Sequence, residues 1–224
     1  MGRNIQFAQG EIYHIYNRGT EKRNVFLSRN DYRRFLCLLY ICNASLPVDL
    51  KSQGSTLYDL RQINRGKKLI DIVSYCLMPN HFHLLMTETA EGGISKFMQK
   101  LVTAYTMYFN KRHERTGALF QGKFKAKRAS ANDNYLKYLV AYVHLNPVKL
   151  VEPNWKKEGI KNKKQIKTFL KEYNYSSYVD FLQHKNDRIE KIILDTKTLP
   201  EYFGKDWKDF ETKITEWLEY NEEI

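Results

Sequence analysis

Leu69-Ile70-Asp71-Ile72-Val73-Ser74-Tyr75-Cys76-Leu77-Met78, the pair Pro79-Asn80, and then His81-Phe82-His83-Leu84-Leu85-Met86-Thr87 decide how this chain folds. Two runs rich in Ile, Val, Tyr and Leu flank a turn-forming pair, which predicts a β-hairpin in the middle of a sheet. Upstream, Glu11-Ile12-Tyr13-His14-Ile15-Tyr16-Asn17 alternates and is β-rich, with Asn17-Arg18-Gly19 closing it as a turn. From Ser28, the residues Asp31, Tyr32, Phe35, Leu38, Leu39 and Cys42 recur at helical spacing behind a Ser/Asn cap. Residues 44–68 are polar, with Pro47, Gly54, Gly66 and Lys67-Lys68, and read as a long surface loop with room for a short helix.

Downstream, Gly93 to His113 places Phe97, Leu101, Tyr105, Tyr108 and Phe109 three and four residues apart, a second helix. Phe124 to Arg128 reads as a short strand. Ser130 and Asp133 form a capping-box pattern before a third helix with Tyr135, Tyr138, Leu139, Tyr142, Val143 and Asn146 on one face, ended by Pro147. The order strand, helix, hairpin, helix, strand, helix implies an α+β sandwich of the ferredoxin-like or RRM-like kind, a central antiparallel sheet backed by helices. Residues 1–150 are expected to form the main domain. Residues 151–224, Lys/Glu-rich with helical stretches near 163–183 and 206–221, are expected to form a helical C-terminal extension.

The formal net charge is +12 over 224 residues, and its distribution is uneven. Residues 1–150 hold 23 Lys and Arg against 10 Asp and Glu, a net +13, whereas residues 151–224 hold 14 against 15, a net −1. A field of that kind attracts polyanions. Hydrophobic residues at 42% and aromatics at 14% exclude a disordered polypeptide. Neither a signal peptide nor a membrane-spanning apolar run is visible, and three cysteines without C-x-x-C spacing suggest neither disulfides nor a zinc knuckle. A soluble, cytoplasmic protein is expected, with no membrane partner.

His81-Phe82-His83 carries chemistry if it lies in a strand. Side chains two apart point to one face, so both imidazoles project together while Phe82 enters the opposite, apolar side. Two imidazoles so placed can share a divalent ion that keeps open positions for phosphate oxygens. The plainer reading is a pair of surface or structural histidines.

The flanks of the pair separate these readings. Leu77-Met78-Pro79-Asn80-His81-Phe82-His83-Leu84-Leu85, followed by Tyr142-Val143-His144-Leu145-Asn146-Pro147-Val148-Lys149, resembles the single-tyrosine HUH transposases, and among them the REP-associated tyrosine transposase branch. The resemblance covers about residues 8–150 and includes Tyr13 to Gly19 and Leu119-Phe120-Gln121-Gly122-Lys123-Phe124. It implies His81 and His83 as metal ligands, Tyr142 as nucleophile and Asn146 as a third polar ligand, with Mg²⁺ or Mn²⁺ as the ion. It implies cutting and rejoining of single-stranded or hairpin DNA through a 5′-phosphotyrosine linkage, by a monomer or a homodimer. Residues i and i+4 of a helix share a face, which suits Tyr142 and Asn146. Tyr135 and Tyr138 share that face too, but within this helix only Tyr142 is followed by an Asn at i+4.

The connector from Lys111 to Arg128 mixes seven basic residues, Lys111, Arg112, Arg115, Lys123, Lys125, Lys127 and Arg128, with Phe120 and Phe124. Basic groups track phosphates and rings stack on unpaired bases, so these residues, with Arg18, are expected to bind DNA. A solvated charge run is the bland alternative. Three other functions compete. A non-catalytic single-stranded nucleic-acid-binding module leaves the His pair unexplained. A replication initiator shares the metal-and-tyrosine chemistry, while a relaxase usually carries its tyrosine before the His motif and a hydrolase of small phosphates has no use for the charge. Tyr175-Ser176-Ser177-Tyr178 resembles a family element whose role the sequence does not supply.

Overall fold

A computed structural model describes residues 5–47, 56–129, 133–182, 188–195 and 207–218. Strand β1 (Ile12–Arg18) leads through helix α1 (Arg29–Ile41) and the short α2 (Leu57–Leu60) to the hairpin of β2 (Ile70–Met78) and β3 (His81–Glu88). Helix α3 (Gly93–Arg112), strand β4 (Lys125–Arg128) and helix α4 (Asp133–Leu145) follow. The remaining helices are α5 (Trp155–Glu158), α6 (Lys163–Glu172) and α7 (Trp207–Glu216). The four strands make one antiparallel sheet in the order β2-β3-β1-β4, the βαββαβ arrangement expected from the sequence.

Local chemistry explains the boundaries. Ser28 starts α1: its Oγ accepts from the Asp31 amide, while Asp31 accepts from the Ser28 amide at 2.8 Å. Asp31 is fully buried and also accepts from His113 at 3.1 Å, so the start of α1 is fastened to the end of α3. Thr56 and Asp59 repeat the capping box at α2, which is the short helix inside the 44–68 loop. The capping pattern at Ser130 lies outside the described residues, though α4 itself begins at Asp133. Gly93 is required by close approach, since a Cβ there would sit 2.1 Å from the Leu69 carbonyl oxygen.

Each face of the sheet carries its own core. Phe82, Leu84, Met86, Tyr13 and Ile15 pack against α1 and α3 through Phe35, Leu38, Phe97, Leu101 and Tyr105. Burying one such side chain contributes roughly 1.5–3 kcal/mol. On the other face, Val73, Cys76, Met78 and Leu85 meet Val140 and Val143 of α4, Ile166 and Leu170 of α6, and Ile214 of α7. The alternation read for His81-Phe82-His83 holds: Phe82 lies in the first core and the histidines face the α4 layer.

Two expectations change. The hairpin is not in the middle of the sheet, because β2 is an outer strand. Its outer edge is covered by the chain that follows α6: the Leu77 amide donates to the Tyr175 carbonyl (2.9 Å), the Tyr75 amide to Ser177 Oγ (2.9 Å) and the Asp195 amide to the Ile72 carbonyl (2.8 Å). An uncovered edge would present unpaired backbone groups to other chains. The Tyr175–Tyr178 element therefore caps the sheet. For the same reason the 163–183 stretch is not one helix: α6 stops at Glu172, and the chain extends along β2 before a 3₁₀ turn at Ser177–Phe181.

Candidate active site

Register builds the site. In β1 and β3, Arg18 stands opposite His81 and Tyr16 opposite His83, and Lys125 and Lys127 of β4 stand opposite Tyr16 and His14. Directly opposed residues share a face, so His14, Tyr16, Arg18, His81, His83, Lys125 and Lys127 all belong to the α4 side of the sheet. Helix α4 lays Tyr142 over them, its ring centroid 5.4 Å from that of His83 and 5.8 Å from that of His14, edge to face in both cases. The two predicted ligand histidines lie with ring centroids 4.8 Å apart.

Each of the paired imidazoles commits its Nδ1. Nδ1 of His81 bonds Asn80 Oδ1 at 2.6 Å, and Nδ1 of His83 bonds Nε2 of His14 at 2.8 Å. His83 Nε2 is buried with no hydrogen-bond partner among the described residues. With Nδ1–H donating to His14, that Nε2 presents a bare lone pair, the arrangement in which an outer partner fixes a ligand's tautomer. Burial holds all three rings neutral: His14 is pushed down to about 4, with Lys127 adding to the effect, and His81 to about 4, with Arg18 and Lys149 adding. His83 lies well below the ordinary value through burial first, then His14, His81 and the nearby cations.

Asn146 follows the last residue of α4, Leu145, and opens the 3₁₀ turn that carries Pro147. Its Nδ2 donates to the Tyr142 carbonyl at 2.7 Å, which is helix capping, while its buried Oδ1 has no partner among the described residues. Capping and ligation are therefore compatible, because one end of the amide anchors while the other stays available. Two buried orphan atoms, His83 Nε2 and Asn146 Oδ1, fit a divalent ion that also takes oxygen ligands. Among the described residues no group of three or more His, Cys, Asp and Glu could hold a metal ion. Tyr142 is raised above the ordinary phenol value, chiefly by burial and then by Tyr138, with Asn146 opposing.

The basic connector does not act as one surface. Phe120 is only 4% exposed and packs edge to face on Phe82 at 5.6 Å, so it belongs to the first core and cannot stack on a base. Phe124 is half-buried against the same core, with Phe7 at 6.4 Å. An aromatic between basic residues looks the same in sequence whether it faces solvent or core. Lys111, Arg112 and Arg115 sit at the end of α3, on the layer opposite the histidines, where Arg112 reaches Asp31 (3.7 Å) and Arg115 donates to Asn110 (2.8 Å). Arg128 is engaged by Glu11, and Lys123 is exposed beside the β4 strand. Of the connector, Lys125 and Lys127 reach the histidine face.

Sequence reasoning missed four residues at this site. His14 and Tyr16 were read only as strand residues, although their i, i+2 spacing in β1 repeats that of His81 and His83. Lys149 and Lys156 place their ammonium groups 5.7 Å and 5.2 Å from the Tyr142 ring centroid. Lys149 follows Asn146-Pro147-Val148 with no role legible in the sequence; Lys156 lies in the C-terminal segment, which carries no visible signal.

Residues 52–146 match the family model described as "Transposase IS200 like". A search of curated proteins gives no match. Among solved structures, a REP-associated tyrosine transposase bound to a REP hairpin superposes with a TM-score of 0.50 at 11% identity, covering 85% of this chain and 90% of that one, a likeness of fold. The segment 52–146, which carries the His pair, Tyr142 and Asn146, thus matches the IS200-like transposases, the family to which the sequence was likened.

Proposed function

We propose that this protein is a DNA transposase that cuts and rejoins single-stranded or hairpin DNA with Tyr142 as nucleophile. The observation that carries the reading is Tyr142, delivered by α4 to within 5.4 Å of His83 between ring centroids, with the orphaned Asn146 Oδ1 four residues on. His81, His83 and Asn146 are the residues that would hold Mg²⁺ or Mn²⁺. When bound, the ion supplies Lewis acidity to the scissile phosphate.

The chain's own residues perform the rest. His14 fixes the His83 tautomer through the 2.8 Å bond. Tyr142 gives up its phenolic proton and attacks phosphorus; the Tyr142 Oη–P bond forms, the P–O3′ bond breaks, and the departing 3′ oxygen takes up a proton. The products are a 5′-phosphotyrosine and a free 3′-OH. Lys149 and Lys156 hold their ammonium groups over the Tyr142 ring, whose hydroxyl burial keeps above the ordinary phenol value. The fold neighbour was solved with a REP hairpin, and the net +13 of residues 1–150 suits such a polyanion. No helix among the described residues is long and apolar enough to cross a membrane.

The test is incubation with end-labelled single-stranded and hairpin oligonucleotides in Mg²⁺ or Mn²⁺. A covalent protein–DNA adduct on a denaturing gel, abolished by EDTA, is the expected result. Cleavage that persists undiminished in EDTA or in the His81→Ala/His83→Ala double variant contradicts the metal assignment.

A further inference from the structure

Besides Lys125 and Lys127, three cations lie at this site, Lys149, Lys156 and Arg18, and among the described residues none of the three has an acidic partner. Lys149 and Lys156 both project their ammonium groups over Tyr142, and Lys156 also lies 5.9 Å from the Tyr138 ring and 6.0 Å from that of Trp155. Arg18 stands opposite His81 on the neighbouring strand. Some other cations do have carboxylate partners: Arg23 has Glu21, Lys68 has Asp71 and Asp195, Arg128 has Glu11 and Arg188 has Asp180. Lys149 is half-buried, so it has lost hydration as well, and its ammonium is destabilised by burial first, then by Lys156 and Arg18. Like charges gathered at a partly desolvated place without a counter-ion repel one another. A ligand anion removes that repulsion.

We infer that Lys149, Lys156 and Arg18 form a phosphate-binding site that seats a backbone phosphate of single-stranded DNA beside Tyr142. One of the three, Lys156 on α5, lies beyond the Tyr142–Lys149 motif, so the segment after residue 150 supplies part of the nucleic-acid contact. A phosphodiester satisfies the site better than a compact anion, because the rings of Tyr138 and Tyr142 beneath the ammonium groups offer apolar surface to the attached sugar or base. That the anion is DNA rests on the transposase reading; that an anion is held here does not.

The test separates the two. Binding of a fluorescent oligo(dT) strand is measured against salt in EDTA, in a Tyr142→Phe background, so that neither metal nor chemistry contributes. Each lysine that neutralises a phosphate of a single strand adds about 0.7 to the slope of log affinity against log salt. Lys149→Gln and Lys156→Gln should each lower the slope by about 0.7 and the double variant by about 1.4. Lys149→Arg should keep it, and Lys164→Gln, an exposed lysine of α6, should leave it unchanged. Should Lys149→Gln not fold, as judged by circular dichroism, Lys156→Gln carries the same test. An unchanged slope in these variants, or an equal fall in Lys164→Gln, overturns the site. If the slopes fall as expected but the protein that retains Tyr142 forms no adduct in Mn²⁺, the anion site stands and the transposase reading fails; an adduct with unchanged slopes is the reverse.

Discussion

Nε2 of His14 lies 2.8 Å from Nδ1 of His83, joining two residues 69 positions apart in the chain through a buried bond. The partner of a ligand nitrogen fixes both the tautomer and the orientation of the ring, and its loss typically weakens metal binding 10- to 100-fold. His14→Ala should therefore weaken Mn²⁺ binding by about that factor, read by isothermal titration. His14→Gln, whose Oε1 can accept the same hydrogen bond, should recover part of it. Equal affinity in wild type and His14→Ala would show that His83 needs no orienting partner.

Phe120 belongs to the core and not to the DNA-contacting surface. Its ring is buried against Phe82, so Phe120→Ala should destabilise the fold by about 3–5 kcal/mol in urea unfolding. The salt dependence of DNA binding by the folded fraction should not change. A stable variant with weakened DNA binding would restore Phe120 to the DNA-contacting surface.

Much of the arrangement is legible in the sequence because it is written in local periods. The i, i+2 spacing of His81 and His83 fixes their shared face once a strand is accepted, and the helical period of α4 fixes Tyr142 with Asn146. What escaped depends on register between distant strands. That Tyr16 opposes His83, or that Lys125 and Lys127 join the histidine face while Lys111 and Arg112 do not, follows from pairings that no local pattern encodes. Phe120 misled because burial is a property of the fold and not of its basic neighbours. Tyr175-Ser176-Ser177-Tyr178 stands out in the sequence, but its place over β2 does not, for a related reason: edge strands and central strands carry the same Ile, Val and Tyr.

Buried neutral histidines make stability depend on pH. His14 and His81 are pushed down to about 4 and His144 to about 3, all chiefly by burial, and His83 lies well below its ordinary value. Unfolded histidine titrates near 6.5. Below that value the unfolded chain binds protons that the folded protein refuses, so stability is full above about 6.5 and is lost as pH falls toward 4. Asp180, raised to about 6 by burial, works in the opposite sense between its unfolded value and about 6. Four histidines outweigh one carboxyl. The urea midpoint in EDTA should fall between about pH 7 and about pH 5; a midpoint that holds or rises would mean that the histidines are protonated in the folded state.

The account turns on Tyr142, and the measurement that tests it most directly is identification of the residue joined to DNA. Wild type incubated with labelled single-stranded substrate and Mn²⁺ is digested and the phosphotyrosine located by mass spectrometry, alongside Tyr142→Phe, Tyr138→Phe and Tyr135→Phe. Removing one oxygen while keeping the ring should spare folding and binding and stop only the chemistry. The account predicts the adduct on Tyr142, its absence in Tyr142→Phe and its persistence in the other two variants. An adduct that survives in Tyr142→Phe and vanishes in Tyr138→Phe or Tyr135→Phe would move the nucleophile back along α4, away from the Asn146 amide.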